Sequence, residues 1–408
     1  MTGVIAAVQW DCYSGSGFMA RSRGHFRPQQ YAGQETGPVM VGPGTVRPAI
    51  LYRAADLRRG APESPSPARP ARKSFTRRGP DRTPFIRKTF QAAFILLNLW
   101  IGARFYVFVR YYETGGQTAF AGRPPGVEGW LPIAGLMNLK YTLLTGLVPE
   151  VHPAAMFLLV AFVAISLIAR KAFCSWLCPI GTVSEWLWEG GREMVGRNFQ
   201  APRWLDLPLR SLKYLLLGFF GYAVAAMTAP ELHGFITSPY GLVADVKMLN
   251  FFRRIGTTGA VVIAVLLVGS VFVKNLWCRY LCPYGALVGL VSLFSPARVR
   301  RDADACIDCA KCAKACPSLL PVDRLITVRS AECTGCLDCV AVCPAEGALR
   351  LSVGRSRAIP SWAVATAIAV IFLGIVGYAQ VTGHWHSDVP DAVYRELIPA
   401  ADSYAHPQ

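Results

Sequence analysis

The chain has 408 residues, 53% of them hydrophobic and only 16% charged, with a mean hydropathy of +0.33 and a net charge of +17. That balance is too apolar for a soluble protein of this length and predicts several membrane spans. The basic excess sits in an N-terminal arm and in loops beside apolar segments, the pattern of a cytoplasmic membrane face rather than of a nucleic-acid surface.

Residues 1–84 form that arm. It is rich in Arg, Pro, Gly and Ser, has no sustained apolar period and reads as disordered. No basic n-region followed by an apolar h-region is recognised, so no cleavable leader is expected. Cys12, alone in the arm, reads as incidental. Five spans follow, at about 90–109, 154–169, 212–228, 258–273 and 361–378. The stretch 130–148 is apolar but holds Pro132 and Lys140, and reads as interfacial or re-entrant. Lys and Arg cluster before span one (Arg77, Arg78, Arg82, Arg87, Lys88), after span two (Arg170, Lys171, Arg192, Arg197, Arg203, Arg210, Lys213) and after span four (Lys274, Arg279, Arg298, Arg300, Arg301). This puts those loops in the cytoplasm and the C-terminus outside. The predicted organisation is a membrane domain of four spans over 85–300, a metal-binding segment over 301–355, a fifth span over 356–380 and a periplasmic tail over 381–408.

The segment between spans four and five carries the chemistry. Its eight cysteines form two runs of C-x2-C-x2-C-x3-C-P: Cys306, Cys309, Cys312 and Cys316, then Cys333, Cys336, Cys339 and Cys343. This bacterial ferredoxin spacing predicts two [4Fe–4S] clusters. Three close thiolates of a run wrap one cubane, while the fourth, before Pro, turns to the other. Cys306, Cys309, Cys312 and Cys343 are therefore expected to hold one cluster, and Cys333, Cys336, Cys339 and Cys316 the second. Zinc sites pair two knuckles across a longer gap, often with His, which neither run contains. A disulfide framework lacks the secretory context it needs. The fold class is an α-helical polytopic membrane protein with an inserted bacterial-type 2[4Fe–4S] ferredoxin domain.

An internal repeat adds a second constellation. AFCSWLCPIG follows span two and LWCRYLCPYG follows span four, so each of two helical hairpins ends in C-x3-C-P-x-G on the cytoplasmic side. Parallel repeats imply a pseudo-two-fold axis along the membrane normal, gathering Cys174, Cys178, Cys278 and Cys282 under the bundle. At i, i+4 on one helix, the two sulfurs of a pair would share a face. Four such thiols suit a third metal centre or redox-active thiols. The plainer reading is packing cysteines beside a Pro-Gly helix stop.

With these motifs in this order, residues from about 85 to 380 resemble the bacterial inner-membrane polyferredoxins that include NapH, NosR and CcoG. The resemblance implies that the C-x3-C-P pairs exchange electrons with the quinone pool or a redox protein. It makes the chain an electron-transfer component, of the kind that serves as a quinol dehydrogenase subunit. The CcoG likeness offers cupric-ion reduction during oxidase assembly as the alternative, and a redox-sensing scaffold is a third class. The partners implied are the lipid bilayer, the quinone pool and a redox protein, with no nucleic acid.

Weaker signals are His152 and His233, at outer ends of spans, which suit a quinone or haem site or, more plainly, exposed interfacial histidines. Arg104 sits within span one near its outer end and is placed to snorkel. Lys140 reads as an interface anchor. His384 and His386 make an H-x-H pair in a solvated tail.

Overall fold

The computed structural model describes residues 75–354 and 357–407. Most of the 1–84 arm, Cys12 included, lies outside the described residues. The described end of the arm is docked: Arg77 bridges Ala345, and Arg78 donates from its backbone N–H to the Pro344 carbonyl at 2.9 Å.

Helix α1 (Thr83–Glu113) opens with Pro at its first turn, where the missing N–H costs nothing. Then come α2 (Pro132–Thr145), α3 (Pro153–Ala169), α4 (Ala172–Trp176) and α5 (Pro179–Val195). They are followed by α6 (Arg203–Ala226), α7 (Ala229–Ile236), α8 (Pro239–Leu242), α9 (Ala244–Arg253) and α10 (Thr257–Phe272). The second repeat closes with α11 (Leu276–Tyr280) and α12 (Pro283–Val291). Helix α1, most of α6 and the later α15 (Ser361–Val381) are long and apolar enough to cross a membrane, and α9 with α10 add a fourth candidate bent by 81°. The remaining expected span is α3, whose 17 residues are short for a hydrocarbon core. Most of α3 is buried, because α2, α12 and α15 pack around it, with Leu167 and Ile168 near its end exposed. Five expected crossings thus become three or four helices of crossing length plus one short, buried apolar helix.

The repeats interlock by exchange. Helix α5, leaving the first Cys pair, packs on α10 of the second repeat, and α12, leaving the second pair, packs on α3 of the first. The approach of α5 to α10 requires glycine: a Cβ at Gly191 would collide with the Val271 carbonyl.

The ferredoxin-type segment begins with β1 (Ala297–Arg301), which pairs antiparallel with β2 (Leu349–Val353), Ala297 opposite Val353 and Arg301 opposite Leu349. Strand β3 (Arg357–Ala358) extends β2. Between β1 and β2 lie two short helices, α13 (Lys311–Ala315) and α14 (Asp338–Ala341), one per cysteine run. Positive φ recurs at matched positions of the runs, Asp308 and Ala310 in the first, Gly335 and Leu337 in the second. At Gly335 the requirement is also spatial, since a Cβ would press on the Ala169 carbonyl at 2.9 Å.

The second run sits directly on the ends of the membrane helices. Ser175 Oγ donates to the Thr334 carbonyl at 2.7 Å, Trp176 Nε1 to Gly335 at 3.2 Å and Arg170 Nη2 to Ser330 at 2.5 Å. Buried ion pairs fasten the same junction. Lys213 of α6 binds both oxygens of Glu332 at 2.6 and 2.7 Å, and Arg87 of α1 binds Glu185 at 2.6 Å and Asp338 at 3.0 Å. Of the cations read as marking the cytoplasmic side, Arg87, Arg170, Lys171, Arg210, Lys213, Lys274 and Arg279 are internal, each 6% exposed or less, while Arg77, Arg82, Lys88, Arg192 and Arg197 are exposed.

The tail also differs from expectation. It folds back as α16 (Asp391–Leu397), burying Tyr394, Leu397 and Ile398 against Phe105, Phe108 and Tyr112 of α1. Lys140 is a helix cap rather than an interface anchor. Its ammonium donates to the Val224, Ala225 and Met227 carbonyls at the end of α6.

Arg87→Ala leaves Glu185 and Asp338 without their cation and is expected to cost about 3–5 kcal/mol. Thermal unfolding of the detergent-solubilised holoprotein measures this, and an unchanged midpoint would contradict the role given to the junction.

Candidate redox centres and an apolar cavity

The eight ferredoxin cysteines separate into two chambers. Cys306, Cys309, Cys312 and Cys343 line one. Cys316, Cys333, Cys336 and Cys339 line the other, with walls that include Val299, Leu320 and Leu337. Each chamber takes three thiols from one run and the pre-proline thiol of the other. A single zinc ion holds its thiolates at about 2.3 Å. Among the described residues no three His, Cys, Asp or Glu side chains are closed around such an ion-sized point. Four thiols on the walls of a chamber suit a cubane, in which each binds a different iron. The second chamber is the drier one: Cys336 and Cys339 are buried, and Cys316 accepts a 3.5 Å hydrogen bond from the Leu320 N–H. Among the described residues, none from a membrane helix lines the first, and its Cys309 is exposed.

The C-x3-C-P cysteines do come together, but not on one helix each. Cys174 lies in α4, the helix breaks at Leu177, and Cys178 is the N-cap of α5. The second repeat is built the same way, with Cys278 in α11 and Cys282 capping α12. Proline after each second cysteine starts a new helix, and the break replaces the expected i, i+4 face. The cap is the sulfur itself, which accepts from Gly181 N–H at 3.5 Å and from Gly285 N–H at 3.2 Å. The motif's glycine has a steric reason at 181, where a Cβ would collide with the Cys174 carbonyl. All four cysteines line one end of a single cavity. Burial pushes the Cys174 thiol up to about 12 and Cys178 to about 11, and carries Cys278 well above its usual value. Such thiols hold their protons at neutral pH unless a metal displaces them.

Two cavities flank this site. A small one is lined by Cys174 and Cys278 on one side and Cys336 of the second chamber on the other. The large one, about 1610 Å3, runs from the four cysteines to Arg123, His386, Asp391 and Tyr394 at its far end. Its walls are mostly apolar, with Leu97 and Ile101 of α1 facing Val262 and Leu266 of α10. Arg104 lines it too, with its guanidinium over the Trp100 ring at 5.4 Å.

The histidines part company. His152 is buried, not interfacial: Nδ1 accepts from Arg123 at 3.0 Å and Nε2 donates to the Gly241 carbonyl at 2.9 Å. Arg123 also binds Glu128 and Asp245, closing an ion network behind the cavity's far end. His233 is exposed, with its ring 5.8 Å from Tyr141. His384 and His386 are exposed as well, and no metal-holding group includes them among the described residues.

Sequence reasoning missed Lys171, Glu332 and Tyr284 as site residues. Lys171 is 3% exposed and lines both cavities. Burial opposes the Glu332 carboxylate, yet the Lys213 and Lys171 ammoniums hold it well below the usual carboxylate range. An available signal was the departure of Lys171 and Tyr284 from the repeat, where Asn275 and Ile180 occupy the matching positions.

Comparison with known proteins agrees with this geometry. A 4Fe-4S binding domain model matches residues 151–200 and 255–301, bracketing both C-x3-C-P motifs, and a 4Fe-4S dicluster domain model matches 297–351. YccM of Escherichia coli (strain K12), provisionally named an electron transport protein, is 52% identical over 78% of this chain and 91% of its own length. The chain belongs to this family of membrane-associated 4Fe-4S ferredoxin-type proteins. Other members are more distant. The regulatory protein NosR of Pseudomonas aeruginosa is 30% identical over 52% of this chain and 29% of NosR. The ferredoxin-type protein NapH of Haemophilus influenzae is 27% identical over 46% of this chain and 63% of NapH. No solved structure matches. The family assignment implies two [4Fe–4S] clusters in the dicluster domain.

Gly181→Ala is expected to disorganise the Cys174/Cys178 pair, whereas Gly285→Ala is tolerated, because a Cβ there meets Cys282 Sγ and Lys171 Nζ only at 3.5 Å. Thiol-labelling rates at the four cysteines, compared between the two variants, test this; equal labelling would refute it.

Proposed function

We propose that the chain is a membrane-bound relay carrying electrons between the quinone pool and a redox partner protein. The observation that carries this reading is the position of the four C-x3-C-P cysteines. They lie between a large apolar cavity and the chamber of Cys316, Cys333, Cys336 and Cys339, with Cys174, Cys278 and Cys336 sharing one small cavity. In this reading Cys306, Cys309, Cys312 and Cys343 ligate the outer cluster and the second set ligates the inner one. Each cluster supplies reversible one-electron storage. The protein's part is to fix distance and surroundings: the inner chamber is dry and anchored to the membrane helices, and exposed Cys309 marks the outer side as the docking face for a partner. The electron transport name of YccM supports the same class of activity.

The topology proposed with it is five crossings of the bacterial inner membrane, with α3 as the short second one. The ferredoxin domain is cytoplasmic, where thiolates stay reduced. The four C-x3-C-P thiols are read as ligands of a third metal centre, because both pairs line one end of a single cavity and four cysteines at one locus suit a metal.

Iron analysis of the anaerobic holoprotein is the direct check. Two clusters give about eight irons per chain and a third about twelve. Cys316→Ser is expected to remove the cluster of the second run, although Cys316 stands in the first. Cys174→Ser is expected to abolish electron exchange between quinone and the clusters while dithionite still reduces them. Unchanged exchange in that variant would sink the relay.

A further inference from the structure

Two polar side chains, one from each repeat, line the inner end of the large cavity. Lys171 is buried, and its ammonium lies among Cys174, Cys278, Cys282 and the Glu332 carboxylate. Tyr284 is the second residue of α12 and stands edge-on to Phe173, with centroids 5.6 Å apart, so that its ring closes the same end. Both line the cavity. Neither head has a hydrogen-bond partner among the described residues. Glu332 and the thiols favour the ammonium's charge, but its hydrogen-bond donors are left free toward the cavity, where an occupant that accepts hydrogen bonds would meet them. The two residues come from different repeats, and each breaks the repeat's symmetry: Asn275 matches Lys171, and Ile180 matches Tyr284.

The occupant must satisfy two demands. It must accept hydrogen bonds at the thiol end and carry a long apolar body through about 1610 Å3 of mostly apolar space walled by α1 and α10. An ordinary pocket for a small ligand measures about 300–1,000 Å3. We propose that Lys171 Nζ and Tyr284 Oη are the donors that anchor a carbonyl oxygen of an isoprenoid quinone, holding its ring beside Phe173 and the four cysteines. This rests on the relay reading and names the residues that make its quinone end. In the downhill direction a quinone takes two electrons, one from each reduced ferredoxin cluster, and two protons from water, giving the quinol. Lys171 and Tyr284 position the ring for that exchange and are returned unchanged.

The test uses the holoprotein in lipid nanodiscs loaded with menaquinone-4, its clusters first reduced by stoichiometric dithionite. Lys171→Met is expected to raise the half-saturating quinone density about tenfold or more, the loss of one charge-assisted hydrogen bond, with Tyr284→Phe giving a smaller rise and Lys171→Arg restoring part of the loss. Iron content should not change, and in Tyr284→Phe and Lys171→Arg, which keep the local charge, neither should the rate of cluster oxidation by ferricyanide. If quinone oxidises the Lys171→Met clusters as it does the wild type, the anchor is wrong. If Lys171→Met loses iron, Tyr284→Phe and Lys171→Arg, which keep the local charge, decide in its place, and wild-type saturation in Tyr284→Phe overturns the pair. A wild-type protein that menaquinone-4 cannot oxidise overturns the quinone reading itself, a result distinct from failure of the anchor.

Discussion

The structure depends on cations that leave both water and lipid at one junction. Arg87, Arg170 and Lys213 extend from membrane helices or their ends into the ferredoxin-type segment. Desolvating each charge costs several kcal/mol, and only the carbonyls and carboxylates of that segment offset the cost. A segment that swung away would leave Lys213 and Glu332 each without its partner. The junction therefore acts against hinge motion. It also fixes the loop from Ser330 to Leu337, and with it the thiols of the second chamber, against the ends of α3 and α4. Electron exchange needs a constant short separation, and buried charge provides one that a flexible tether would not.

The same economy governs the four cysteines above that loop. A continuous helix would carry a Cys pair on one face but would aim the two pairs by the tilt of two separate helices. Breaking the helix before Cys-Pro lets the chain turn there, and the second sulfur then accepts the orphan N–H at the start of the next helix. The helix starts thus converge on one volume, with their positive dipole ends toward it. The exchange packing of α5 on α10 and α12 on α3 holds the two starts together, which is why two sequence-distant pairs line one cavity.

Much of this was legible in the sequence because it is local. The cysteine runs, the C-x3-C-P repeat and the apolar segments are short-range patterns, and the helices at 83–113, 153–169 and 361–381 contain the stretches read as spans. What could not be read was long-range. Arg87 finds Asp338 across 251 residues and Lys213 finds Glu332 across 119, so several of the cations that mark the expected cytoplasmic side turn out to be internal. His152 looked interfacial because its partner Arg123 lies in a loop of no recognisable pattern. The tail looked solvated because α16 is amphipathic only in relation to the aromatic end of α1. The helix break inside C-x3-C-P was legible in principle: proline after the second cysteine forbids the continuous helix that i, i+4 spacing suggested.

The departures from the repeat matter more than the repeat. Duplication builds a symmetric chamber of four thiols, and a symmetric chamber offers a ligand two equivalent orientations. Lys171 and Tyr284, with Asn275 and Ile180 opposite, remove that equivalence. The charged side belongs to the repeat whose helix end also grips the second chamber's loop through Arg170 and Trp176. Lys171 adds its charge to that of Lys213 in holding Glu332 ionised, beside the first cysteine of the second run. One ammonium therefore faces the cavity, the four thiols and the junction together. Its removal would alter the reactive end of the cavity and the electrostatics of the inner chamber at once, which is why the charge-retaining Lys171→Arg and the neutral Tyr284→Phe separate anchoring from charge.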